Sequence, residues 1–288
     1  MVLLRTIKEI KVKAKSTLIS NFRIFVLPTF AYMCSIALQF IFAEAFGLGE
    51  WQEILSVNET EDFLWLVPAL FVSTFVFIPI TLAIIYKVCV LLLDGETENI
   101  NESIKKFLTS SNIKQIILIN FIPQLVHLIY VLIKVEGFVV WYLPFLIPQE
   151  AFLVAKLILS SMAIYVNYKF FICNYYFAKN EAPAKETILC SFEAMKRFKI
   201  FIKEELLQLS FILWQLLATG IYWLLKAISE SIKTAINDNA SKIIFSYKTP
   251  LLDVFSCFYC GLGFFIYPFM FLSFSLLCEK LINMEGDT

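Results

Sequence analysis

The residues able to do chemistry in this chain are polar side chains set in long apolar runs. Asn120, Gln124 and His127 recur at i, i+4 and i+7 beside Pro123, which withholds a backbone donor and frees a carbonyl one turn back. Lys156, Ser160, Asn167 and Asn174 form a second stripe, and Gln208, Gln215, Thr219, Tyr222 and Lys226 a third. In hydrocarbon such groups are costly unless they face protein or water, so the stripes are expected to point inward. Two outcomes are open. The stripes could line a polar pathway or binding cavity, with His127 as the group that titrates near neutral pH. Alternatively they could hydrogen-bond between helices and fix packing, at about 0.6 kcal/mol per contact. Packing carries more weight, because the single histidine has no acidic neighbour in its own run and Glu204 and Glu205 lie too near a helix end. The candidate cluster is thus Asn120, Gln124, His127, Lys156, Asn167, Gln208 and Gln215.

Other chemistries find no support. Cys257 and Cys260 have the C-x-x-C spacing of redox and zinc sites, yet they sit beside Phe258 and Tyr259 in an apolar run with no second pair. Close helix packing through Ser256, Cys260 and Gly263 is the better reading. The seven cysteines are odd in number and mostly within apolar segments, so no disulfide framework is expected. There is no Walker loop, no H-E-x-x-H, no G-x-S-x-G and no G-x-G-x-x-G. A non-enzymatic chain without catalytic residues, metal or cofactor is expected.

The elements that must position these residues are membrane helices. Hydrophobic residues are 59% of the 288 and charged residues 17%, against about 45–50% and about 25% in soluble domains. A span needs about 20 apolar residues. Six runs qualify: 22–43, 63–93, 113–133, 151–178, 206–228 and 251–278. The second exceeds what a bilayer requires, so it should tilt, kink at Pro68 or Pro79, or project beyond the membrane, and its Lys87 lies close enough to Asp94 to snorkel toward it. Phe138 to Ile147 is too short to span, and Trp141 and Tyr142 suit an interfacial segment. The fold class is all-α, a polytopic membrane bundle forming one transmembrane domain. Zero formal net charge leaves no basic field to recruit nucleic acid. The bilayer is the expected partner, with other membrane proteins beside it and no substrate specified.

Orientation follows from lysine and arginine. Sixteen lie in the N-terminal tail, the second and fourth loops and the C-terminal tail, against five on the opposite side, four of those in the fifth loop. Both termini are therefore expected in the cytoplasm, with the fifth loop as the dissenting element. Residues 1–21 form a basic amphipathic helix, with Leu3, Leu4, Ile7, Ile10, Ala14 and Leu18 on one face, suited to an anionic leaflet or to a solvated surface. Gly95, Glu96, Glu102, Ser103, Ile104 and Phe107 precede Asn180, Glu181, Glu186, Thr187, Ile188 and Phe192 by 84 or 85 positions. That spacing predicts repeats of an amphipathic helix followed by two spans, three in all.

Ser191, Met195 and Lys196, then Leu209, Ser210, Phe211, Trp214, Leu217, Thr219, Gly220 and Ile221, and finally Tyr247, Pro250, Phe258 and Tyr259 carry a resemblance. From the fourth loop onward the chain resembles a bacterial family of multi-pass membrane proteins catalogued only as domain of unknown function 975. Arg197 stands where that family usually has glycine, and Ser229 to Ser246 is a long insert. The resemblance implies six spans in a bacterial inner membrane and brings no activity with it. A non-enzymatic accessory, regulatory, stress or immunity factor is the expectation. The alternative is a small transporter or lipid-handling permease, which requires the three stripes to converge.

Overall fold

The computed structural model describes residues 2–48, 63–134, 158, 161–163, 165–195 and 250–283. Residues 49–62 between the first two runs, the interfacial piece at 138–147, the run at 206–228 and residues 229–249 of the fifth loop lie outside the described residues. Among the described residues the chain is all helix with no strand. Its elements are α1 (Val2–Leu48), α2 (Phe63–Val72), a π-helical turn (Ser73–Phe77), α3 (Ile78–Leu93), α4 (Ile100–Phe107), α5 (Ser110–Lys134), α6 (Cys173–Asn180), α7 (Ala184–Ala194) and α8 (Pro250–Asn283). Three stretches are long and apolar enough to cross a membrane: Ile7–Gln39, Pro68–Leu93 and Ser110–Ile129.

Helix α1 joins the N-terminal helix to the first span across a break at Asn21, whose backbone (φ −127°, ψ 19°) leaves the helical region. The Asn21 side chain donates to the Thr17 carbonyl at 3.0 Å, so the amide competes with the regular ladder there. This places the break where the composition changes from basic amphipathic to apolar. From Ile7 to Leu18 the apolar face of this helix does not turn to a leaflet or to solvent. Ile10, Ala14 and Leu18 are buried in the same core cluster as Leu91, Leu277 and Leu281. Their spacing at i, i+4 and i+8 is that of a face docked on protein.

The long second run is interrupted rather than straight. Pro79 has no N–H to return to the Phe75 carbonyl, and just ahead of it the Ile78 N–H reaches back to Ser73 across the wider π turn. Lys87 does not snorkel toward Asp94: it turns inward to α6, as described below.

Helix α1 packs along α3 and α8, and α3 along α6. Residues Phe271 to Cys278 of α8 are all buried, as in a helix enclosed on every side. Tyr32 meets Tyr267 and Phe271 edge-on at 5.8 and 5.4 Å, and Tyr86 meets Phe271 at 5.4 Å, fixing α1 and α3 to α8 through aromatic edges. On the outside, Val26, Leu27 and Phe30 of α1 and Leu118, Phe121, Ile122 and Leu125 of α5 are exposed. Contiguous apolar surface of this kind is costly in water and costs nothing in hydrocarbon.

Candidate functional site

The structure joins one pair from the predicted stripes. Asn120 of α5 and Asn174 of α6 exchange carboxamide hydrogen bonds: Asn120 Nδ2 donates to Asn174 Oδ1 at 2.9 Å, and Asn174 Nδ2 donates to Asn120 Oδ1 at 3.0 Å. The second proton on Asn120 Nδ2 goes to the Ile116 carbonyl at 2.9 Å. Asn120 is 2% exposed, so its polar atoms are taken up by protein. One turn further along α5, Gln124 is buried with Oε1 lacking a partner, and His127 beyond it is half-buried.

Asn167 departs from expectation: it is exposed, while Asn174 on the same predicted stripe is half-buried. The run at 151–178 is not one continuous helix. A turn at 171–172 separates the helical segment 165–170 from α6, with the Phe171 N–H bonding the Tyr168 carbonyl at 3.3 Å. Positions seven apart no longer share a face across such a break. Helix α7 holds the broken segment: Tyr168 Oη donates to the Met195 carbonyl at 2.6 Å, and Ser191 Oγ donates to the Lys169 carbonyl at 2.7 Å. Lys156, Gln208 and Gln215 lie outside the described residues.

Two polar centres escaped the sequence reading. The first is at the π turn, where fully buried Gln39 of α1 donates from Nε2 to Thr74 Oγ1 at 3.2 Å. Gln39 Oε1 has no partner, and neither has the Thr29 hydroxyl on α1. Phe75 stacks on Phe121 at 5.3 Å, so the π turn sits against α5 one turn before Gln124.

The second centre lies near the ends of α3 and α6. Lys87 Nζ donates to the Ala178 carbonyl at 2.9 Å and to Glu181 Oε1 at 3.0 Å, and lies over the Phe107 ring at 5.1 Å. Asn112 Nδ2 donates to Glu181 Oε2 at 2.9 Å. Gln115 Oε1 accepts the Ala184 N–H at 2.8 Å. Glu181 is left-handed (φ 51°), a conformation that costs a non-glycine residue about 1–2 kcal/mol. Charge-assisted bonds from Lys87 and Asn112 offset that cost and lock α3, α5 and α6 together. The other left-handed position, Gly95 (φ 83°), lies 86 positions earlier, one beyond the 84 or 85 of the repeat, so the spacing gave no signal for the backbone at Glu181.

Among the described residues no group of three or more His, Cys, Asp or Glu could hold a metal ion. Cys89, Cys173 and Cys278 are buried thiols, and Cys173 Sγ donates to the Thr187 carbonyl at 3.9 Å.

The chain is thus an all-helical protein, among its described residues, with helices long and apolar enough to cross a bilayer and a polar interior. No family model, no curated protein and no solved structure matches it.

Proposed function

We propose that this chain is a non-enzymatic integral membrane protein that acts through partner proteins or the bilayer itself, as an accessory, regulatory, stress or immunity factor. The observation that carries the reading is the reciprocal Asn120–Asn174 pair, in which two intramembrane amides are spent on each other and not offered to a passage. The outward-facing Asn167 adds to it, since a shared cavity would need that side chain inside.

The finer architecture belongs to the same proposal: six spans, both termini in the cytoplasm of a bacterial inner membrane, three repeated hairpins, and kinship with the uncharacterised family named above. The short helices α4 and α7, which begin at Ile100 and Ala184, 84 positions apart, support the repeat.

A second reading, a small transporter or lipid-handling permease, draws on the partnerless oxygens of Gln39 and Gln124 around the π turn. Complementation separates the two. In cells lacking the chain, Asn120→Leu combined with Asn174→Leu should restore the deletion phenotype to the wild-type level when membrane abundance is matched. Loss of function at matched abundance would favour transport.

A further inference from the structure

A groove of about 550 Å³ runs between α6 and α7, within the about 300–1,000 Å³ typical of ligand sites. It is lined by Tyr176, Pro183 and Leu189 and by Lys185, Glu186 and Glu193, the three charged residues all exposed. Tyr176 lines the groove together with Glu186 and Cys190.

Position fixes what reaches this groove. The Ala178 carbonyl is held by Lys87, about 9 Å along α3 from its end at Leu93. Asn112, at the start of α5, bonds Glu181. The Lys185 and Glu186 end of the groove therefore lies near the ends of two helices long and apolar enough to cross a membrane, the level at which headgroups meet water in the membrane reading. The groove runs from there along α7 toward Glu193, next to Ser191, which bonds the Lys169 carbonyl. Leu189 is 52% exposed and Phe192 36% exposed, leaving apolar surface beside the charges.

We propose that this groove binds the headgroup of a zwitterionic phospholipid bearing a primary ammonium, phosphatidylethanolamine in chemical class. Lys185 pairs with the phosphate, and Glu186 and Glu193 accept N–H bonds from the ammonium. One cation beside two carboxylates matches a phosphate linked to an ammonium and repels a purely anionic headgroup. A trimethylated ammonium has no N–H to give, so phosphatidylcholine fits less well. Glycerol headgroups bring no positive charge at all.

The assignment deepens the membrane-acting reading, and its readout is lipid selectivity rather than complementation, so either can fail alone. The test uses the full chain in detergent, titrated with phosphatidylethanolamine, phosphatidylcholine or phosphatidylglycerol and followed by thermal shift and native mass spectrometry. Phosphatidylethanolamine should stabilise saturably and bind about tenfold tighter than the other two, the factor of one charge-assisted hydrogen bond. Glu186→Gln with Glu193→Gln should erase that preference, and Lys185→Glu should weaken all three lipids. These side chains are exposed, so an unchanged lipid-free melting temperature checks folding; Leu189→Arg, which puts a bulky cation into the apolar lining, provides an independent loss of binding. Equal affinity for the three lipids, or a preference that survives the double Glu variant, overturns the proposal.

Discussion

Removing one amide of the Asn120–Asn174 pair should cost more than removing both. Asn120→Leu deletes two interhelical hydrogen bonds of 2.9 and 3.0 Å and strands the half-buried Asn174 amide. Each intramembrane bond is worth about 0.6 kcal/mol, and an orphaned buried amide adds about 1–2 kcal/mol. The single variant should therefore lose about 2–3 kcal/mol. Asn174→Leu should lose about 2 kcal/mol, because Asn120 Nδ2 keeps its bond to the Ile116 carbonyl while Oδ1 is stranded. The double variant strands nothing and should fall only about 1 kcal/mol below wild type. Reversible unfolding in mixed micelles, analysed as a double-mutant cycle, reads the coupling directly. Additivity of the two single losses within about 0.5 kcal/mol would refute the reasoning.

Other consequences follow from the remaining contacts. Lys87→Met strands the Ala178 carbonyl and loses the bond to Glu181; with Glu181 still partly solvated, about 1–2 kcal/mol should be lost in the same unfolding assay. Ala14→Leu overpacks a fully buried site and should destabilise by about 1–3 kcal/mol, whereas Val12→Ser, at a 61% exposed position, should change melting by little. Gln39→Leu combined with Thr74→Val removes one hydrogen bond together with a partnerless buried oxygen. That variant should be neutral or slightly more stable, and a clear fall in melting temperature would mean that the oxygen has a ligand.

Much of the outline was legible in sequence because it rests on long-range averages. Apolar run length picked out the three described stretches long enough to cross a membrane, although the first begins at Ile7 and not at 22, and the change from basic to apolar composition coincides with the break at Asn21. Helical periodicity placed Asn120 and Asn174 on inward faces. Periodicity failed where the helix itself failed. The turn at 171–172 separates Asn167 from Asn174, and no proline or glycine marks it, so nothing local announced it. The π turn had a cue in Pro79, but its filling by Gln39 depends on how α1 packs, which spacing within one helix does not encode. Lys87 was misdirected for a similar reason. Asp94 is close in sequence, while Glu181, 94 residues away, is close only after α6 docks.

Single cysteines on the two faces of α5, in a cysteine-free background within native membranes, test most directly whether this is a membrane bundle with a spent polar interior. Phe121→Cys and Leu125→Cys, at exposed apolar positions, and Gln124→Cys, at a buried one, would be probed with an aqueous maleimide, and again by attached-fluorophore quenching from spin-labelled lipid. The account predicts no aqueous reaction at any of the three and lipid quenching at positions 121 and 125. Rapid aqueous labelling at position 124 would reveal a water-filled pathway, and rapid labelling at 121 and 125 would place α5 outside the bilayer; either result would contradict the account.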